Sequence, residues 1–219
     1  MLPRVLEPEV MDTLDDALDY DSMDHSEVNQ RFVDDFVRAG GHPDLILDLG
    51  CGTALIPILL AEALPSSRII AVDYSQNMLR IGQRHLVDKN LQDTIILVRA
   101  DAKSLPFPDE AFSQVVSNSL IHHLACPKAA FDEAYRVTKR GGLLFFRDLV
   151  RPVDRQTLDR LVRLYAGDAN EHQQQLLADS LAASLTIEEV AEMVRDYKLS
   201  ASHLKMTSDR HWTWIARKE

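Results

Sequence analysis

The chain has 219 residues, of which 46% are hydrophobic and 26% are charged, and its net charge is −10. These values are ordinary for a globular protein and argue against disorder. No apolar run approaches the roughly 20 residues of a membrane-spanning helix, and the first residues lack the apolar core of a secretory signal. An acidic chain repels phosphate backbones. We therefore expect a cytoplasmic enzyme or binding protein without membrane insertion or a nucleic-acid partner, either a monomer or a homodimer.

The two cysteines, Cys51 and Cys126, are too few and too oddly placed for a disulfide framework or a zinc site. We expect both to be reduced.

Two amphipathic helices are predicted before the first strand. Apolar residues recur at helical spacing between residues 10 and 20. They are Val10, Met11, Leu14, Ala17 and Leu18. A second helix is predicted to begin with Ser26 as its cap and to end at Gly40 and Gly41. We interpret residues 1–41 as an N-terminal helical cap and residues 42–219 as the ligand-binding domain.

The segment from Leu45 to Ala54 is predicted to be a strand that ends in a sharp turn. Four of its first five residues are large and apolar, which is typical of a strand buried on both faces. Gly50 and Gly52 follow, and glycines are needed where a backbone turns tightly and lets a ligand approach bare amides. The apolar run from residue 55 can form a helix that tolerates Pro57 in its first turn.

The spacing of small residues in this turn separates two classes of cofactor. A dinucleotide fingerprint has a small residue three positions after its second glycine, and that position is Leu55 here. Asp48, Gly50, Gly52 and Ala54 instead form the pattern Asp-x-Gly-x-Gly-x-Ala. It resembles the first motif of the class I S-adenosylmethionine (SAM) dependent methyltransferases, Asp/Glu-x-Gly-x-Gly-x-Gly, with alanine at the last position. The resemblance implies a Rossmann-like fold that binds SAM and releases S-adenosylhomocysteine.

The next predicted strand, Arg68 to Asp73, ends in an acid. Asp73 lies 21 residues after the second glycine, where a carboxylate accepts hydrogen bonds from the ribose hydroxyls of an adenosyl ligand. Ser75 is predicted to cap the helix that follows. The segment resembles the family's Asp-x-Ser-x-x-Met-Leu, which implies that Met78 lies on the adenine. Tyr74, beside Asp73, is included in the predicted cofactor site.

A third strand, Thr94 to Arg99, precedes Asp101 and Ala102. By resemblance, the Asp101 side chain accepts from the exocyclic amine of adenine, and the Ala102 amide donates to the ring. The loop at 105–112 has the Leu-Pro-Phe-x-Asp-x-x-Phe cadence of the small-molecule branch of the family. The chain is therefore similar to the quinone-biosynthesis C-methyltransferases of that branch.

A fourth strand, Phe112 to Asn118, brings Asn118 and two histidines to the same edge of the sheet. Ser-Leu-Ile follows Asn118, in place of the Pro-Pro-Tyr/Phe of members that modify adenine bases or glutamine amides. His122 and His123 are adjacent, so we expect their side chains to point apart, and no carboxylate or cysteine cluster follows at ligand spacing. No metal is predicted. A structural histidine and a histidine lining the substrate pocket both remain open, with a metal ligand as the least favoured alternative.

The rest of the chain is predicted to complete the sheet. A helix from Cys126 to Thr138 ends at Lys-Arg-Gly-Gly, which resembles the end of a family motif. The fifth strand, residues 143–149, would carry Arg147 and Asp148 over the methyl group. A helical insertion is predicted at about 153–185.

A capping box at Thr186 opens the last predicted helix, which runs to about Tyr197. Two strands follow, at residues 201–206 and 212–216, and the short turn between them makes them antiparallel. The predicted fold class is therefore α/β. It is a Rossmann-like, doubly wound, seven-stranded sheet, mostly parallel with one antiparallel strand and with helices on both faces.

The resemblance implies transfer of the SAM methyl group to a small-molecule acceptor by in-line displacement. The leaving group is neutral, so placement is the main requirement, and a general base is needed only for a protonated acceptor. The predicted catalytic residues are His122, His123, Asp148 and Tyr20, with His25 as a further candidate base. The predicted cofactor-binding residues are Asp48, Gly50, Cys51, Gly52, Asp73, Tyr74, Met78, Asp101, Ala102 and Asn118.

Two rival functions stay open. One is a SAM-binding protein that transfers no methyl group, such as a cyclase, an isomerase or a regulatory protein. The other is a NAD-dependent oxidoreductase, which Leu55 and the acids at the strand ends disfavour.

Overall fold

The computed structural model describes residues 2–7 and 13–219. Within these residues seven strands form one sheet in the order β3-β2-β1-β4-β5-β7-β6. The first five strands in this order, β3, β2, β1, β4 and β5, pair in parallel with their neighbours. Strand β7 is antiparallel to both β5 and β6. The predicted mostly parallel sheet with one reversed strand is confirmed. The strands are β1 Leu45–Leu49, β2 Arg68–Asp73, β3 Ile95–Arg99, β4 Phe112–Asn118, β5 Thr138–Leu149, β6 Leu199–Met206 and β7 His211–Lys218.

Helices cover both faces of the sheet, because consecutive residues of a buried strand alternate between two apolar cores. Phe146 packs with Phe131 and Trp214 on one face, while its neighbour Phe145 packs with Phe32 and Phe36 on the other. No described helix is long and apolar enough to cross a membrane. The helices are α1 Leu14–Ser22, α2 Ser26–Arg38, α3 Leu55–Ala63, α4 Gln76–Lys89, α5 Pro127–Val137, α6 Arg155–Ala166, α7 Glu171–Ala183 and α8 Ile187–Val194.

The helix boundaries differ from the predicted ones near the N-terminus. α1 begins at Leu14, where the Thr13 hydroxyl accepts from the backbone N–H of Asp16. The predicted start at Val10, with Met11, lies outside the described residues. In α2 the cap position belongs to His25, and Ser26 is already the first helical residue.

The fifth strand begins earlier than predicted. Phe112 pairs with Thr138, whereas Gln114 pairs with Leu143, so the residues between those two partners bulge out of the ladder. Gly142 lies in this bulge, where a Cβ would come within 2.8 Å of the Ser113 carbonyl oxygen. The glycines that resemble a helix-terminating motif therefore serve a β-bulge inside a longer β5.

Two helices occupy the segment predicted as an insertion, and the N-terminal residues run along it. Leu158, Leu161 and Leu181 of α6 and α7 form a small apolar cluster with Leu149 at the end of β5. Val5 donates its backbone N–H to the Ala182 carbonyl at 3.1 Å. Residues 2–7 are thereby held against the end of α7. The division into a cap at 1–41 and a domain at 42–219 stays a prediction.

Candidate active site

A cavity of about 430 Å³ lies at the carboxyl ends of β1 to β4. In open α/β sheets the ligand site is the crevice at this edge, at the point where the strand order reverses. Here β2 and β3 lie on one side of β1, and β4 and β5 lie on the other. The volume is within the range of about 300–1,000 Å³ that is typical of sites for small ligands. The predicted site residues that line it are Tyr20, Gly50, Gly52, Asp73, Tyr74, Met78, Asp101, Ala102, Asn118 and His123.

The glycine turn after β1 forms one wall of the cavity. Gly50 and Gly52 have φ angles of +74° and +53°, in the left-handed region that glycine occupies without strain. The backbone N–H groups of Gly50 and Cys51 both donate to the Val72 carbonyl at the end of β2, at 2.8 and 2.9 Å. Cys51 itself is buried and does not line the cavity. The predicted conformational need for both glycines is confirmed.

Ala54 also has a left-handed backbone, with a φ of +65°. The related motif has glycine at this position, and alanine carries a steric penalty in that conformation. Across from it, a Cβ on Gly82 of α4 would lie 3.2 Å from the Ala54 Cβ. Gly82 therefore provides the space that Ala54 requires.

Asp73 joins the end of β2 to this turn. Its Oδ2 accepts the Gly52 N–H and its Oδ1 accepts the Ser75 N–H, both at 2.8 Å. Burial raises the pKa of Asp73, although these two backbone donors oppose the shift. An ionised carboxylate has lone pairs for about four hydrogen bonds, so the carboxylate retains accepting capacity toward the cavity.

Asp48 lies beneath the turn rather than in the cavity wall. It is 1% exposed, and among the described residues its Oδ2 has no hydrogen-bond partner. Burial, together with the neighbouring carboxylate of Asp73, raises the pKa of Asp48 to about 8. An orphaned carboxyl oxygen beside the glycine turn fits a site that receives a cationic ligand.

The loop after β3 supplies the third acid. Asp101 Oδ1 accepts the backbone N–H of Lys103 at 2.8 Å and lies 3.1 Å from the Lys103 ammonium. Lys103 also lines the cavity, a residue that sequence reasoning did not select. Met78 is buried at 6% exposure, whereas Tyr74 is half exposed and lies under the Arg99 guanidinium.

Tyr20 of α1 covers the glycine turn from above. Its Cε1 atom lies 3.6 Å from the position that a Cβ on Gly52 would take. Burial and the nearby carboxylates of Asp73 and Asp48 raise the pKa of Tyr20 to about 12. Its phenol is therefore protonated at neutral pH and suits a hydrogen-bond donor better than a general base. His25, the further candidate base, packs against Tyr20 with ring centroids 4.8 Å apart and ring planes tilted by 32°.

Asp148 and Arg147 do not lie over the cavity, so that prediction is wrong. Consecutive strand residues point to opposite faces of a sheet, and neither residue lines the cavity. The Arg147 guanidinium bonds to Asp35 at 2.6 Å and to Thr213 at 2.9 Å, in a separate groove. Asp148 is buried beneath the 3-10 turn Ile121–His123, where its Oδ2 accepts the Ile121 N–H at 2.6 Å.

His122 is buried against Asp148, with 2.5 Å between Nδ1 and Oδ1. Burial lowers the pKa of this imidazole, but the Asp148 carboxylate outweighs burial and raises it. The same pairing lowers the pKa of Asp148 against the opposing effect of burial. Neither residue lines the cavity.

His123 does line the cavity, and its side chain lies beside that of His122. The 3-10 turn places the two ring centroids 4.0 Å apart, so the expectation that adjacent histidines point apart is wrong. His123 Nδ1 lies 2.9 Å from Oε1 of Glu7. Sequence reasoning missed Glu7, because no local pattern connects it with a turn so distant in the chain.

The order of the strands, the glycine turn after β1 and the acids at the ends of β1, β2 and β3 define a class: the SAM-binding α/β proteins. A family model described as "Methyltransferase domain" matches residues 47–146. A crystal structure from Methanococcus maripaludis, named as a SAM-dependent methyltransferase, shares the fold with a TM-score of 0.75 at 19% identity, covering 98% of this chain and 97% of that one.

Two curated relatives show to which family this chain belongs. The demethylmenaquinone methyltransferase of Anoxybacillus flavithermus is 32% identical over 161 residues, which cover 68% of this chain and 67% of that protein. The protein of the same name from Symbiobacterium thermophilum is 34% identical over 119 residues, 54% of this chain and 46% of that relative. This chain thus spans less than half of the Symbiobacterium protein. It belongs to the class I SAM-dependent methyltransferase family, whose cofactor is SAM.

Proposed function

We propose that the protein transfers the methyl group of SAM to a small-molecule acceptor, with a quinone-type ring as the first acceptor to test. The observation that carries this proposal is the cavity itself, whose walls include the glycine turn, Asp73, Tyr20 and His123. The names of the two curated relatives support an acceptor of the demethylmenaquinone type.

We propose that the predicted cofactor residues hold SAM in this cavity. Asp73 would accept the ribose hydroxyls, and Met78, Asp101 and Ala102 would contact the adenine. The backbone of the glycine turn and Asn118 would face the methionine end. The buried Asp48 carboxyl lies behind the turn, and a cationic ligand there would favour its ionised form. The cavity volume and the orphaned Asp48 oxygen support this assignment.

SAM supplies a methyl group on a positively charged sulfur, so the protein must chiefly orient the acceptor. Holding nucleophile and methyl group in line can contribute on the order of 7–11 kcal/mol to lowering the barrier. We propose that Tyr20 and His123 contact the acceptor, and that His122 and Asp148 fix the turn that carries His123. Asp148 is suited to this because its carboxylate accepts the backbone N–H groups of Ile121 and His122, at 2.6 and 3.2 Å.

We also propose that the protein works in the cytoplasm and has no nucleic-acid substrate. The net charge of −10 supports the second point. The free cysteines Cys51 and Cys126 fit a reducing compartment. We further propose that α1, which carries Tyr20, covers the cofactor, and that the α6–α7 insertion shapes the acceptor pocket.

The test has two stages. S-adenosylhomocysteine at 100 times its dissociation constant should stabilise the protein by about 2.7 kcal/mol in a thermal melt, and NAD should not. Methyl-labelled SAM is then incubated with a reduced demethylmenaquinone analogue and with a panel of phenols, amines and thiols. Labelled product from one of these acceptors is the expected result. Cofactor binding without transfer to any of them would favour the rival non-transferring protein, and stabilisation by NAD instead would favour the oxidoreductase.

A further inference from the structure

Three donor atoms from two separate segments meet beside the cofactor cavity. Glu7 Oε1, His122 Nε2 and His123 Nδ1 all lie within 4.8 Å of one another. We propose that Glu7, His122 and His123 form a binding site for a divalent metal ion of the zinc type.

The distances within this triad fit ligands of one ion. Ligand bonds of about 2.0–2.2 Å in tetrahedral geometry place neighbouring ligand atoms about 3.3 Å apart. Glu7 Oε1 lies 2.9 Å from His123 Nδ1 and 3.6 Å from His122 Nε2, one on each side of that spacing. The shorter distance is also that of an ordinary hydrogen bond, whereas the longer one exceeds it.

The second nitrogen of His122 is held as metal-binding imidazoles usually are. A histidine that binds a metal through one nitrogen commonly donates the other N–H to a carboxylate, which fixes the tautomer and the ring. His122 Nδ1 lies 2.5 Å from Asp148 Oδ1, and Asp148 is itself 1% exposed. The Ser180 hydroxyl of α7 donates to Glu7 Oε1 at 3.3 Å and helps to position this carboxylate.

Arg4 anchors the N-terminal segment that carries Glu7. The Arg4 guanidinium donates to the carbonyl oxygens of His122 and Leu124, both at 3.0 Å, and to that of Ala183 at 2.6 Å. One side chain therefore joins the N-terminal segment to the turn that carries both histidines and to the end of α7. The carboxylate meets the imidazoles because the fold brings these segments together.

The cluster is largely buried and contains carboxylates as well as imidazoles. The side chains of His122 and Glu7 are 4% and 9% exposed, and that of His123 is 21% exposed. Two buried carboxylates, Glu7 and Asp148, face the imidazoles, and the Arg4 guanidinium lies at the same turn. A divalent ion bound by two neutral imidazoles would be attracted to both carboxylates. Two imidazoles and one carboxylate suit zinc, whereas magnesium and calcium prefer oxygen ligands throughout.

The position of the triad gives the ion a place in the reaction. Zinc sites with two histidines and one glutamate leave a fourth position open, and His123 lies at the cavity wall. An acceptor hydroxyl or thiol bound at that position would lose its proton more readily. This consequence rests on the proposed function, whereas binding of the ion does not.

The experiment measures metal binding by the 219-residue chain after treatment with a chelator, without SAM or acceptor. Zn²⁺ is titrated by calorimetry, and Co²⁺ is followed by its visible absorption, which is intense for tetrahedral sites. We expect one ion per chain. Glu7→Gln should weaken Zn²⁺ binding by roughly 100-fold or more, and Asp148→Asn, which leaves all three ligands in place, by about 10- to 100-fold.

Matched controls separate this site from weak surface binding. His203→Ala and Glu188→Gln remove an exposed histidine and an exposed glutamate, and neither should change the affinity. Thermal melts establish that each variant is folded, and His123→Asn provides a second ligand variant if Glu7→Gln is unstable. The proposal is overturned if the chain binds neither ion stoichiometrically, or if Glu7→Gln and His123→Asn bind Zn²⁺ as tightly as the parent. Either result would leave the methyl-transfer assay unaffected as a test of the proposed function.

Discussion

The carboxylate of Asp73 accepts the backbone N–H of Gly52 at 2.8 Å. This bond connects the end of β2 to the glycine turn after β1, so the acid and the turn form one continuous wall of the cavity. The second oxygen of Asp73 is tied to Ser75 at the start of α4, also at 2.8 Å. A single side chain therefore fixes the turn, the strand end and the helix start that surround the proposed ribose position.

Replacing Asp73 by alanine is expected to weaken binding of S-adenosylhomocysteine at least 10-fold. The variant loses hydrogen bonds from the ribose to a charged acceptor, each of which is worth about 1.5–3 kcal/mol. It also releases the Gly52 amide. Isothermal titration of the parent and the variant measures the change, with the exposed Asp93→Ala as a control that should bind normally. Equal affinities for the parent and Asp73→Ala would remove Asp73 from the proposed cofactor site.

The close packing of Ala54 against α4 leads to a second prediction. Gly82→Ala would place its Cβ 3.2 Å from the Ala54 Cβ and 3.2 Å from the Thr53 carbonyl carbon. Overpacking of this kind usually costs about 1–3 kcal/mol, more than the roughly 1 kcal/mol that alanine gains over glycine in a helix. We expect net destabilisation in urea unfolding, whereas the exposed neighbour Gln83→Ala should change little.

A double-mutant cycle isolates the contact between the two side chains. In an Ala54→Gly background the Cβ–Cβ contact is absent, so Gly82→Ala should cost less, with a coupling of about 0.5 kcal/mol or more. An identical cost in both backgrounds would show that the Thr53 backbone alone makes Gly82 necessary.

The cofactor side of the site was predictable because its signals are local. Asp73 and Asp101 each follow an apolar strand directly, and parallel strands bring their carboxyl ends to one edge of the sheet. The spacing of Gly50 and Gly52 is enough to predict a turn. These patterns depend on a few neighbouring residues, so the sequence predicted many of the residues that line this part of the cavity. Asp48 and Cys51, which were also selected, are buried and do not line the cavity, and Lys103 was missed.

The acceptor side depends on contacts between distant segments, which no local pattern encodes. Glu7 reaches His123 only because Arg4 docks the N-terminal residues on the 3-10 turn. Asp148 was predicted to lie over the methyl group but is buried beneath the 3-10 turn. The alternation of side chains along β5, together with that tight turn, decides the direction in which its side chain points. The sequence also did not predict the bulge that lengthens β5, because Gly-Gly after a helix usually marks a helix end.

The buried carboxyl of Asp48 is expected to make the cofactor-free protein less stable as the pH rises. Its pKa is about 8 in the folded protein, against an ordinary value of 3.8, so the folded state binds more protons than the unfolded state between these values. The free energy of unfolding then falls with increasing pH across this window, by up to about 1.4 kcal/mol per pH unit for one group. The raised pKa of Asp73 acts in the same direction.

Chemical denaturation from pH 5 to pH 8, compared between the parent and Asp48→Asn, measures this dependence. The amide cannot ionise, so the variant should show a shallower decline and should gain stability relative to the parent toward pH 8. Parallel curves for the two proteins would show that Asp48 does not titrate in this window.

The last prediction concerns Tyr20, whose phenol has a pKa of about 12 and is therefore protonated at neutral pH. Tyr20→Phe keeps the ring over the glycine turn and removes only the hydroxyl. Loss of one neutral hydrogen bond, worth about 0.5–1.5 kcal/mol, should lower kcat by roughly 2- to 10-fold and leave the affinity for S-adenosylhomocysteine nearly unchanged. Loss of a general base would instead lower kcat by about 10²–10⁴. Measuring kcat for both proteins across a range of pH separates these roles, because a hydrogen-bond donor leaves the shape of the pH profile intact. A 10³-fold loss together with an altered profile would make Tyr20 the base and contradict its assignment as a donor.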